Sequence, residues 1–374
     1  MTLKVAIVGC GKIADGHVEE IGKLPELARV VAVCDLESLM AEQLARRLGV
    51  PAHYDDVDRL LEVERPDVVH VTTPPFSHLA LARKALDAGA HVVVEKPFTL
   101  SLADSRTLID HARRANRKLT IGYSYHFDPT METFRERYAR GELGVPVHLE
   151  AFLGYNLAGP FGKALLADRD HWVHRLPGKL FQNNLDHVLS KLPEFLEDDR
   201  SDAAVEADPL GAVRIFAHGW IRRPERFNDR RDQMLDELRV TLTTPGASAF
   251  AWFSSHLRPA VQYLRVYGTL GTAQVHLGTS TVTSEPVARL PSALGRLTPG
   301  FALGWQYFRA AGHNLARFAG NDFHYFAGLN RLFDRFYRAI LEDGPPPIPY
   351  RDILRVSAWM DEIWRQVPQG PDQP

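Results

Sequence analysis

Along the first 122 residues the apolar positions keep two rhythms. Unbroken runs (KVAIVG, RVVAVCD, PDVVHVTT, HVVVEK and KLTIGY) are separated by stretches such as 37–48 and 77–88, where apolar residues recur every three to four positions, as in Met40, Leu44 and Leu48. Runs apolar on both faces and joined by helices predict a parallel sheet covered on each side, a doubly wound α/β domain. After Tyr123 the rhythm changes. DPTMETFRERYARGELG reads as a helix stopped by glycine, and VPVHLEAFLGYN opens a partly alternating strand. Between 211 and 276 come longer alternating strands, GAVRIFAHGWI, DELRVTLTTPG, ASAFAWFSSHL and AVQYLRVYGTLGTAQVHL, with turn residues at Pro245-Gly246 and from Gly268 to Gly271. With no helices between them, these runs predict a large, mostly antiparallel sheet. The tail, 326–367, returns to helices around EDGPPPIPYRD. The expected layout is a first domain over 1–122 and an α+β domain over 123–374, the last helices free to pack back on the first. The stretch 301–341 is rich in Phe, Trp and Tyr with interspersed Arg. It reads as helical core or a subunit contact, with a surface-binding amphipathic segment as the other possibility.

Composition narrows the picture. A chain of 374 residues exceeds one ordinary core, which favours two domains. Lys and Arg (44) nearly balance Asp and Glu (46), so no global field draws the molecule to nucleic acid or to a membrane. Two cysteines, Cys10 and Cys34, make no disulfide framework. The first apolar run is too short for a secretion signal, and no stretch approaches the roughly 20 apolar residues of a membrane span. A cytoplasmic protein is expected, with a small molecule as its partner.

The first run leads into GCGKIA, which places Gly9, Gly11 and Ala14 in the pattern G-x-G-x-x-A. Gly9 permits the tight turn, Gly11 lets backbone amides approach a pyrophosphate, and Ala14 lets the helix pack on the strand. Lys12 and Ile13 complete the loop at the helix start. Asp35 closes the next strand, near the spacing at which a carboxylate takes ribose hydroxyls. Its charge, followed by Leu36 where a phosphate binder would want a basic group, favours NAD over NADP. The strand ending in VTTPPFSH reaches the carboxyl edge where open α/β sheets bind ligands, so Thr73 and Pro74 are candidates for the nicotinamide and ribose side. His78 is either a ligand contact or an ordinary first-turn residue. Glu95 and Lys96 end HVVVEK at the same edge, with side chains expected to face whatever lies over the cofactor.

VAIVGCGKIA, VCD, VTTPPFSH, ALDAGAHVVVEKPFTLSLADSRTLID, GELGVPV and YGTLGTA, in this order, resemble the Gfo/Idh/MocA oxidoreductases, the family of glucose–fructose oxidoreductase and inositol dehydrogenase. The resemblance implies a Rossmann domain followed by an α+β domain whose open sheet serves as a dimer or tetramer interface. It also implies that Lys96 is the catalytic lysine, that Lys96–Pro97 is cis, and that Tyr123 and His126 line the cleft beside the cofactor.

The family's second element is D-x-x-x-H on a helix. LPGKLFQNNLDHVLSKL aligns there, placing His187 in the histidine position and Asn183, not aspartate, one turn earlier. Asn183 can orient His187 or bind substrate, but it cannot stabilise an imidazolium as a carboxylate would. In DRDHWVHRLPG, Trp172, His174 and Arg175 fit a polar pocket wall; Arg175 would meet a phosphate or carboxylate on the substrate or else is a surface arginine. His171 and His174 with His187 lack carboxylates or thiolates at ligand spacing, so no metal is expected. The reaction implied is hydride transfer between NAD and a secondary alcohol of a sugar, cyclitol or sugar nucleotide, with Lys96 or His187 as acid or base. The alternatives are an NAD-binding regulator of the same fold and a nicotinamide-assisted lyase or hydrolase.

Overall fold

A computed structural model describes residues 2–367 except 158, 169, 197–199, 223–233, 288–291, 321 and 325. It divides into two compact units, one of Met1–Phe127 with Phe326–Ser357, the other of Asp128–Tyr325 with Ala358–Pro374.

The first unit is built on six strands: β1 (Leu3–Val8), β2 (Ala28–Cys34), β3 (Ala52–Tyr54), β4 (Val68–Val71), β5 (His91–Val94) and β6 (Leu119–Ile121). All pair in parallel in the order β3-β2-β1-β4-β5-β6. The connecting helices are α1 (Lys12–Gly22), α2 (Ser38–Leu48), α3 (Val57–Glu64), α4 (His78–Asp87) and α5 (Leu102–Arg114). Val5, Ala6, Ile7, Val69, Val93 and Val94 are buried on both sides of the sheet, as their unbroken apolar runs require. Register places the ligand edge: Val8 lies opposite Val71 and Val71 opposite Val94, so Gly9, Thr72 and Glu95 leave the sheet side by side. β3 is absent from the expected runs because AHY is polar at its centre and only partly covered, unlike the equally short but fully buried β6.

The second unit holds α6 (Pro129–Ala139), β7 (Pro146–Asn156), α7 (Pro160–Ala167), α8 (Lys179–Leu189), α9 (Asp202–Ala207), β8 (Arg214–Trp220), β9 (Glu237–Thr243), β10 (Ser248–Ser254), β11 (His256–Gly268), β12 (Gly271–His276), β13 (Thr281–Pro286) and α10 (Ser292–Ala319). The seven strands run in the order β13-β12-β11-β7-β10-β9-β8, antiparallel except for β7 with β10. Alternation decides which face is covered: Leu238, Val240 and Leu242 of β9 and Ala249, Ala251 and Phe253 of β10 are buried, and α8 packs there through Phe181 against Phe253 at 4.8 Å. β13 went unread in the sequence because TVTSEP at the sheet edge is half polar.

α11 (Ala327–Leu341) belongs to the first unit, and α12 (Tyr350–Gln366) contributes its start to the first and its end to the second. The aromatic stretch 301–341 is therefore not one core element. α11 is core, with Leu332, Phe333, Phe336 and Tyr337 buried, whereas α10 is largely exposed. Aromatic content alone does not separate the two, because both have helical spacing and differ only in what covers them.

Candidate active site

Gly9 has φ +102°, and a Cβ there would lie 2.7 Å from Thr73 and 2.8 Å from Thr72, so no other residue fits the turn. Thr72 locks it by donating its hydroxyl toward the carbonyls of Val8 (3.0 Å) and Gly9 (2.6 Å). A Cβ on Gly11 would meet nothing within 4 Å, and α1 begins there with no side chain capping it. Open space in front of uncapped helix amides suits a pyrophosphate, with exposed Lys12 beside it and buried Ala14 seating the helix. Ile13 is half-buried in the same turn. Asp35 braces the loop: its Oδ2 accepts from Cys10 N–H at 2.7 Å and its Oδ1 from Glu37 N–H at 3.0 Å. A carboxylate has about four acceptor positions, so ribose hydroxyls can still be taken. Leu36, the next residue, is 92% exposed and offers a 2′-phosphate no charge of its own. These residues fit NAD. Burial pushes the thiols of Cys10 and Cys34 up to about 12, which removes both as nucleophiles.

Thr73 and Pro74 are accessible at the edge of β4, and Ser77 donates to the Thr73 hydroxyl at 2.7 Å. His78 is not available to a ligand. It is fully buried, with Nε2 2.8 Å from the Thr73 carbonyl and Nδ1 at 3.0 and 3.2 Å from the carbonyls of Pro97 and Phe98. Burial lowers its pKa against the pull of those carbonyls. The ring thus clasps the β4 loop to the β5 loop, where the Lys96–Pro97 bond is cis.

Glu95 also departs from expectation. Its side chain turns inward, into space opened by Gly122, where a Cβ would stand 2.6 Å from the carboxylate. Oε2 accepts the Lys96 N–H at 3.1 Å and Oε1 meets His17 Nε2 at 3.1 Å. His17 Nδ1 lies 2.9 Å from His70 Nδ1, and Tyr337 Oη 2.9 Å from His70 Nε2. One assignment satisfies every atom with both rings neutral: Tyr337 donates to His70, His70 to His17, and His17 to Glu95. Burial raises the Glu95 pKa, but the His17 hydrogen bond, with the nearby Lys96 charge and the Lys96 N–H, outweighs it, so the group is lowered overall and stays a carboxylate. Burial holds His70 well below its ordinary value and Tyr337 well above. Lys96 is half-buried at the rim, on a backbone fixed from both sides by Glu95 and His78. His17, His70 and Tyr337 escaped the sequence reading. A histidine three residues into α1 beyond Ala14 and a histidine inside VVHV were the available signals.

Tyr123 is buried at the end of the same sheet and stacks on half-buried His126 at 6.0 Å. In the second unit, α8 buries Leu180, Phe181, Leu185, Asp186 and Val188 and leaves Asn183, Asn184 and His187 half-exposed along one face. Asn184 had not been singled out; its amide donates to the Leu180 carbonyl at 2.8 Å. Lys191 is fully buried and donates to the His187 carbonyl; burial pushes its ammonium down to about 7 despite Asp128. His174 places Nε2 3.0 Å from the Leu165 carbonyl, while its Nδ1 is buried with no hydrogen-bond partner among the described residues. Trp172 packs on the cluster of Leu157, Leu165, Val173, Leu180 and Met234, and Arg175 is exposed. Among the described residues no three His, Cys, Asp or Glu side chains form a metal-holding group.

Residues 3–123 match the model of the oxidoreductase family with an NAD-binding Rossmann fold, Gfo/Idh/MocA. Over that stretch the chain is similar to the Gfo/Idh/MocA oxidoreductases. The matched stretch includes the Gly9 loop and the Glu95-Lys96-Pro97 turn. The chain is 30% identical over 150 residues to scyllo-inositol 2-dehydrogenase (NAD(+)) of Bacillus subtilis, 40% of this chain and 44% of that one. It is 34% identical over 143 residues to D-glucoside 3-dehydrogenase of Escherichia coli, 38% of this chain and 40% of that one. The match thus spans less than half the length of these curated relatives. The fold likeness extends further: the WlbA dehydrogenase of Bordetella pertussis, solved with NADH and UDP-GlcNAcA, superposes with a TM-score of 0.75 over 99% of both chains at 17% identity.

Proposed function

We propose that this protein is a Gfo/Idh/MocA oxidoreductase, an NAD-dependent dehydrogenase acting on a secondary alcohol of a sugar, cyclitol or sugar nucleotide. The observation that carries the reading is the ammonium of Lys96 on a turn clamped by Glu95 and His78, at the sheet edge that also bears the open Gly9–Gly11 loop. The names of the inositol and glucoside dehydrogenases it resembles support the substrate class. The Gly11 amides and the start of α1 hold the pyrophosphate, and Asp35 takes the ribose hydroxyls. When bound, NAD supplies the hydride acceptor. Lys96 hydrogen-bonds the reacting oxygen and stabilises the negative charge that develops on it; His187 takes the hydroxyl proton on a ring nitrogen, with Asn183 one turn away binding substrate.

Lys96→Ala is expected to lower turnover by about a hundredfold or more while leaving NAD affinity, read by calorimetry, within a factor of about two. Ordinary turnover by this variant would remove Lys96 from the mechanism. Wild-type protein that binds NAD yet oxidises nothing in a broad panel of cyclitols, sugars and sugar nucleotides would replace the reading with that of an NAD-binding regulator.

A further inference from the structure

α10 faces the wrong way for a surface helix. Its partly covered positions, Leu303, Gln306, Ala310, Asn314 and Arg317, recur every three to four residues and lean on β13. The grip is polar. Gln306 accepts the Ser284 N–H at 2.8 Å and donates to the Ser284 carbonyl at 2.9 Å, as a neighbouring strand would, and Asn314 donates to the carbonyls of Thr279 and Ser280 at 3.1 Å each. Arg317 is turned back onto Asp322 at 3.1 Å. The opposite side carries Leu297, Phe301, Trp305, Phe308 and Leu315, which are 59, 76, 60, 70 and 69% exposed. Trp305 and Phe308 stack at 5.7 Å. Amphipathic helices normally bury such a stripe against the body and show their polar face to water. Here the polar face is docked, and an apolar ridge on a helix about 42 Å long is left outside.

Charge selects what covers it. Between Glu285 and Asp322 the sequence contains no Asp or Glu, while Arg296, Arg309 and His313 on α10 are exposed. Antiparallel pairing of two such helices would set basic flanks against basic flanks with no acid to offset them. An anionic lipid surface accepts both features at once: aromatic and aliphatic side chains enter the boundary between headgroups and acyl chains, and arginines meet phosphates. The near-neutral balance of the whole chain does not oppose this, because attraction to the surface acts within a Debye length of about 8–10 Å. No helix among the described residues is long and apolar enough to cross a membrane, so contact with a lipid surface would run along α10 rather than through it.

We propose that α10 docks the protein onto an anionic membrane surface, with Phe301, Trp305 and Phe308 inserted at the headgroup boundary. Co-sedimentation of the full chain with phosphatidylglycerol-containing vesicles tests it, against pure phosphatidylcholine vesicles and a Phe301→Gln, Trp305→Gln, Phe308→Gln triple variant. Circular dichroism and the thermal transition check that the triple variant stays folded, and all three positions point away from the packed face. Expected are binding to phosphatidylglycerol vesicles, weaker binding to phosphatidylcholine, and a loss of about tenfold or more in the triple variant and in Arg296→Glu, Arg309→Glu. Wild-type protein left in the supernatant, or triple-variant binding equal to wild type, overturns the proposal. So does a wild-type dimer, seen by analytical ultracentrifugation, that the triple variant splits and that never binds vesicles; it would assign the ridge to a second copy.

Discussion

Glu95 and Lys96 are adjacent in the chain and part company in space. The end of an apolar run at the carboxyl edge was enough to locate both, but not to say which way each turns. That is decided by residues far off in sequence: Gly122 leaves room for the carboxylate and His17 hydrogen-bonds it. His78 illustrates the same limit, since its bonds to the Pro97 and Phe98 carbonyls join loops that no spacing rule connects. For Asp35 and Leu36 the expected cofactor preference rests on charge, which the sequence states directly, although the hydrogen bonds of Asp35 to Cys10 and Glu37 do not show there. Asp35→Ser with Leu36→Arg removes the carboxylate that repels a 2′-phosphate and supplies a cation for it. The ratio of NADP to NAD affinity should rise by about tenfold or more, about 1.4 kcal/mol, in titrations with both dinucleotides. An unchanged ratio would show that this strand end does not select the cofactor.

Among elements, the parallel strands buried on both faces were legible from their apolar signature, and β3 and β13 were not because AHY is only partly covered and TVTSEP is half polar. α11 owes its place to a face that includes Tyr337, whose hydroxyl ends the buried chain through His70 and His17 to Glu95. Tyr337→Phe keeps the ring packing and leaves His70 Nε2 without its donor. A buried acceptor left unmade costs about 1–3 kcal/mol, so the denaturant midpoint should fall without a change in slope. An unshifted midpoint would mean that the hydroxyl does not hold α11 in place.

At the scale of the whole molecule, the burial of Lys191 should be felt as pH dependence. Unfolded, Lys191 keeps its proton to about 10.5; folded, it releases it near 7. Between these values the unfolded chain binds more protons, so this residue's contribution to stability rises with pH from about 7 to 10.5 and is least favourable below. Lys191→Met should therefore gain on wild type in melting temperature at pH 6 and lose that advantage by pH 9; a gap independent of pH would contradict the buried ammonium. The chain path was partly legible, in that a helical tail was foreseen, but no local pattern names the unit a helix will join. That path has a consequence for biosynthesis. The first unit takes residues up to Phe127 and again from Phe326, with 128–325 made in between. On the ribosome, the amino-terminal sheet must wait for this long insertion to emerge before α11 can cover His17 and His70. During that interval its bare helix-binding face is the surface a chaperone would be expected to shield.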